Sequence, residues 1–135
     1  MKMIKSIPAL PVKDINAATK FYETRLGFFA RHVEQDFAIV QRDDLELHLW
    51  AACNESWRIP LWITVGHPVK TGAESFLAGT ASCRIQVEEI DALYSEYKAS
   101  GVLYGPNAIV TLQPWGHRDF PVLDLERNLI TFYQT

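Results

Sequence analysis

A chain of 135 residues, 48% hydrophobic and 21% charged, is long enough to bury a core without metal or disulfide staples. Thirteen Lys and Arg against sixteen Asp and Glu give a net charge of −3 with no basic stripe, which argues against nucleic acid as a partner. No apolar run approaches a membrane span, residues 1–6 lack a signal-peptide core, and Cys53 and Cys83 form neither a disulfide framework nor a metal motif. A soluble cytoplasmic protein with reduced thiols is expected.

Residues 4–12 form an apolar, strand-like run that carries Pro8 and Pro11. It leads into a helix over 14–27, where Ile15, Ala18, Tyr22 and Leu26 share one face. Asp14 has the chemistry of an N-cap, and Gly27 suits the left-handed position that ends a helix. Strands are expected over 28–34, 37–42 and 45–51, with Asp43 and Asp44 turning the last pair. Segment 53–79 follows, with Pro60, Pro68, Gly66, Gly72 and Gly79. A connection of this length is usually functional or mobile. Its Trp57 and Trp62 argue that part of it packs, and its run 61–65 is able to add a short strand.

The pattern then restarts. A strand over 81–87 precedes a helix over 89–101, with Ile90, Leu93, Tyr94 and Tyr97 on one face and Gly101 as the stop. A short strand near 109–112 and strands over 118–123 and 129–134 complete the repeat. The chain is therefore expected to be one α+β domain of two tandem β-α-β-β-β modules, about 1–52 and 80–135, linked by loop 53–79.

Strand alternation separates two faces in each module. In 45–50 the leucines form the apolar face that packs on helices, while Glu46, His48 and Trp50 share the other. In 82–87, Cys83, Ile85 and Val87 alternate with Ser82, Arg84 and Gln86; in 129–134, Leu129, Thr131 and Tyr133 alternate with Ile130, Phe132 and Gln134. A face mixing polar and aromatic groups suits a cleft for a small molecule. Cys83 lies on the apolar phase, as a small core residue. The chain has no glycine-rich phosphate loop, no Gly-x-Ser-x-Gly elbow and no Cys-x-x-Cys.

The segments 7–12 and 21–28, the latter reading Phe-Tyr-Glu-Thr-Arg-Leu-Gly-Phe, resemble the opening of the glyoxalase/bleomycin-resistance/dioxygenase superfamily, the vicinal oxygen chelate fold. Segments 36–45 and 113–120, the latter with Pro114-Trp115-Gly116, look like its bleomycin-resistance branch. The resemblance implies paired modules whose mixed sheet curls into a cleft, a homodimer, and, in the family's enzymes, a divalent metal held by His and Glu. The family's ligand positions fall here on Ile7, His48, Ser82 and Thr131, of which only His48 is an ordinary ligand. No metal and no cofactor are therefore expected, and no catalytic residue is assigned.

The resemblance makes Phe37 and Trp115 stacking walls and Asp36 a nearby acid; strand phase and loop composition add His48, Trp50 and Trp62. Arg84 stands where a tryptophan can line the family's groove, and Arg31-His32 where an acid-aromatic pair is found. Two extra cations in the cleft are expected to repel a cationic ligand and favour a neutral or anionic one. The expected function is sequestration of a small molecule, an antibiotic or related aromatic compound. The alternative is a metal-dependent lyase or isomerase of the same fold, and a further possibility is a dimeric module that exchanges its 4–12 strand.

Overall fold

The computed structural model of the protein describes residues 1–52 and 77–135. Trp57, Trp62 and the run 61–65 lie outside the described residues. The first half builds β1 (Ala9–Val12), α1 (Ile15–Arg25), β2 (Phe29–Val33), β3 (Phe37–Arg42) and β4 (Leu45–Ala51). The second builds β5 (Ser82–Gln86), α2 (Ile90–Ser100), β6 (Thr111–Leu112), β7 (Arg118–Leu123) and β8 (Leu129–Gln134). Each half is a four-stranded sheet of the same topology, β1-β4-β3-β2 and β5-β8-β7-β6. The first strand of each half runs parallel to the last, and the other pairs are antiparallel.

Local chemistry explains the boundaries. The Asp14 carboxylate accepts the Ala17 N–H at 3.1 Å, a cap worth about 1 kcal/mol. Gly27 and Gly101 adopt φ of +77° and +72°, so both helices end where a side chain would be strained. Helix α2 starts differently: Glu89 is left-handed at φ +54° and makes no side-chain cap, and the Gln134 side chain accepts the Ile90 N–H instead. The apolar run at the N-terminus is strand only from Ala9 onward. Pro8 has no N–H to give the ladder, so its carbonyl accepts from His48 and pairing begins one residue later. Met3 and Ile4 are exposed.

Helix α1 packs across β2, β3 and β4, and α2 across β7 and β8. The helix-facing side chains of both halves merge into one apolar core containing Tyr22, Leu26, Leu47, Leu49, Tyr97, Phe120, Ile130 and Phe132. Within it lies a polar knot. The buried Asp124 carboxylate accepts from Tyr22 Oη (2.8 Å), the Asn128 amide (3.1 Å) and the backbone N–H groups of Glu126 and Asn128. Asn128, fully buried, also donates to the Pro11 carbonyl and accepts from Gly79 and Ala81. A second tie joins Arg42 to Glu96 through two hydrogen bonds, while Tyr97 Oη and Arg42 both donate to the Leu26 carbonyl.

Burial pushes the Asp124 carboxyl above its ordinary value, and the donors of Asn128, Tyr22 and Glu126 pull against it. The Tyr22 bond favours the ionised carboxylate, so its stabilisation is present while Asp124 is charged. Tyr22→Phe is therefore expected to lower unfolding stability by about 2 kcal/mol at neutral pH in urea titrations. That loss shrinks as acidification protonates Asp124.

Candidate functional site

The face of each sheet turned away from the helices carries the polar and aromatic side chains. Cross-strand register places Phe37 opposite Trp50 and Ile39 opposite His48, so this face of β3 and β4 holds all four. Phe37 meets the His48 ring edge-on at 5.0 Å and the Trp50 ring at 4.5 Å. Trp50 is 46% exposed. The β2–β3 register shifts between Ala30 and His32, a bulge that leaves Arg31 without a partner in the ladder and re-aims it. Arg31 Nη2 reaches Glu46 Oε1 at 2.6 Å, and His48 Nε2 donates to Glu46 Oε2 at 2.9 Å. These hydrogen bonds, from His48 foremost, hold the Glu46 carboxyl below its ordinary value.

The second sheet repeats the arrangement with different residues. Register places Asp119 opposite Tyr133 and Arg84 opposite Thr131. Asp119, nearly buried, accepts Arg84 Nη2 at 3.1 Å and the Gln113 amide at 3.0 Å. The Arg84 guanidinium lies over the Tyr133 ring at 5.0 Å, and His117 stacks on that ring at 4.7 Å with planes 13° apart. The Pro114-Trp115-Gly116 segment is the turn from β6 to β7: Gln113 exchanges backbone hydrogen bonds with His117 and Gly116, and Gly116 takes φ +96°. The turn leaves Trp115 62% exposed.

Of the residues singled out from the sequence, the first sheet brings together Phe37, His48 and Trp50, with the exposed Asp36 immediately before Phe37. Arg84 and Trp115 belong to the second sheet, and Trp62 lies outside the described residues. Sequence reasoning missed Glu46 and Asp119 as partners of the two arginines, and Tyr133 and His117 as a stacked pair. The strand phase of Glu46 and Tyr133 was the available signal. Arg31 and Arg84 were expected to repel a cationic ligand; each is paired with a recessed carboxylate, so neither adds net charge to its face.

The family's metal fits poorly. Ile7 brings no donor, Ser82 and Thr131 bring only hydroxyls, and the Nε2 of His48 is engaged with Glu46. Among the described residues, no cluster of three or more His, Cys, Asp or Glu is arranged to hold a metal ion. Burial pushes the Cys83 thiol up to about 11, so it is protonated at neutral pH and a poor nucleophile. A groove of about 820 Å³ lies between the Asp43-Asp44 turn and α2, and none of Asp36, Phe37, His48, Trp50, Arg84 or Trp115 lines it.

The sequence profile of the Glyoxalase/Bleomycin resistance protein/Dioxygenase superfamily matches residues 6–132, and the chain belongs to that superfamily. Its relatives include bleomycin resistance proteins of Geobacillus stearothermophilus and Staphylococcus aureus. Each is 49% identical over 132 residues, spanning 98% of this chain and 97% of theirs. Among solved structures, a bleomycin-binding protein from bleomycin-producing Streptomyces verticillus complexed with copper(II)-bleomycin matches at TM-score 0.72 and 27% identity. That match covers 98% of this chain and 96% of that one. A bleomycin-binding protein complexed with bleomycin matches at TM-score 0.70 and 24% identity, covering 98% of this chain and 99% of that one.

The donor set yields a direct expectation. Protein incubated with Zn, Ni or Mn and dialysed into metal-free buffer retains well under one ion per chain by atomic spectrometry. Stoichiometric retention would contradict it.

Proposed function

We propose that the protein binds bleomycin or a closely related glycopeptide antibiotic and sequesters it without chemically changing it. The observation that carries this reading is the pair of polar-aromatic faces. Phe37, Trp50 and Trp115 offer ring surfaces for stacking, and Arg31 and Arg84 are each neutralised by a carboxylate. Full-length identity of 49% to proteins named for bleomycin resistance supports it, as does the copper(II)-bleomycin held by a relative of the same fold. Asp36, Phe37, His48, Trp50, Arg84 and Trp115 are the proposed contact residues, with Trp62 added from sequence.

The same reading makes the protein a cytoplasmic homodimer. Among the described residues no helix is long and apolar enough to cross a membrane. Phe29 and Val33 on edge strand β2, and Leu112 on edge strand β6, are exposed apolar side chains that a second copy would cover. Light scattering is expected to give about 31 kDa, twice the chain mass of 15.4 kDa, at all working concentrations.

Sequestration and catalysis separate by stoichiometry. In a DNA strand-scission assay with iron-loaded bleomycin, protection is expected to be complete near one chain per drug molecule, with the drug recovered unmodified. Protection at far lower protein, with altered drug, would support the enzyme reading instead. Phe37→Ala and Trp115→Ala are each expected to weaken binding about tenfold, the effect of losing one stacking partner and its buried area.

A further inference from the structure

We propose that Arg31 and Arg84 make their two sheet faces receptors for the neutral, carbonyl-bearing part of an aromatic ligand, so that the two ion pairs add no preference for the ligand's charge. The inference rests on the binding reading above and specifies which part of the ligand is recognised.

Three features point to it. Each guanidinium gives a single hydrogen bond to its carboxylate, Arg31 to Glu46 and Arg84 to Asp119, out of the five N–H donors it carries. The side chains of the arginines are 49% and 43% exposed, while those of their carboxylates are only 13% and 10% exposed. The acids are thus recessed and the remaining donors face outward. Finally, each pair sits beside an aromatic ring: Glu46 shares His48 with Phe37, and Arg84 lies over Tyr133.

A ligand ion of either sign gains little from such a pair. An anion drawn to the guanidinium meets the carboxylate behind it, and a cation drawn to the carboxylate must first displace the arginine. Either ion also loses hydration on entering. An uncharged carbonyl or carbamoyl oxygen meets none of these penalties and accepts a charge-assisted hydrogen bond. A recessed acid with an outward arginine recurs on both sheets. Amides flanking planar rings are the matching chemistry.

The test compares bleomycin with its tail-less acid, in which a carboxylate replaces the cationic terminal amine, by calorimetric titration at about 50 and about 500 mM salt. The two ligands are expected to bind within about fivefold of each other, with salt changing either Kd by less than about fivefold. Arg84→Gln and Arg31→Gln are expected to weaken the tail-less acid by more than about tenfold and bleomycin by less, because the carboxylate left unpaired repels the anion and attracts the cation. Arg84→Lys, which keeps the ion pair with Asp119 and guards against misfolding, is expected to weaken both equally. In the unsubstituted protein a tail-less acid bound more than about fivefold weaker or a steeper salt response, or an Arg84→Lys variant that shifts the two ligands in opposite directions, would overturn the inference.

If the protein binds neither ligand, the sequestration reading fails by itself. The inference is then judged with benzamide, benzoate and benzamidinium, following arginine Nε resonances by ¹⁵N NMR. Benzamide shifting the Arg31 and Arg84 resonances at least as far as the two ions supports it. Response to the ions alone, or to none of the three, overturns it.

Discussion

The Asp124 carboxylate is the point at which the two halves of the chain are fastened. It gathers Tyr22 from α1 and Asn128 from the β7–β8 turn, and Asn128 in turn holds the Pro11 carbonyl of β1 and the backbone entering β5. A buried carboxylate is costly unless its acceptor sites are filled, and here four donors fill them. Burial and the adjoining Asp124 also push the Tyr22 hydroxyl well above its ordinary value, so it remains a donor at any physiological pH. Because the knot lies on the helix side, the two sheets share one core and turn their polar-aromatic faces away from it. Every feature of the candidate site follows from that orientation.

Much of this was legible in local pattern. Alternation in β4 separated Leu47 and Leu49 from Glu46, His48 and Trp50, and the structure buries the first set and leaves the second on the open face. The Asp14 cap and the Gly27 and Gly101 stops depend on residues a few positions apart, and they formed where expected. What stayed hidden depends on register and on distant partners. The bulge that re-aims Arg31 has no periodic signature. Arg84 and Asp119 are 35 positions apart, and Tyr22 and Asp124 are 102 apart, so no window of sequence joins them. Ile4 and Ile7 make residues 4–8 look like a continuation of the strand, yet regular pairing starts only after Pro8.

The ion pairs change what the charges mean. Two arginines counted from sequence predict a cationic cleft, whereas two arginines seated on recessed carboxylates produce neutral faces with hydrogen-bond donors pointing outward. The fold hosts both metal enzymes and binding proteins, so function has to be argued from the side chains at the site. Here those are an isoleucine, a histidine already bonded to Glu46, a serine and a threonine where a metal would need ligands. Beside the histidine stand the rings of Phe37 and Trp50. That combination favours holding a planar ligand over transforming one.

The most direct measurement is a titration of intrinsic tryptophan fluorescence with metal-free and copper-loaded bleomycin, since the chain has four tryptophans and at least Trp50 and Trp115 are exposed beside the proposed site. The account predicts saturable quenching below about 1 μM at one ligand per chain. No response at about 100 μM ligand, roughly two orders of magnitude higher, would contradict it.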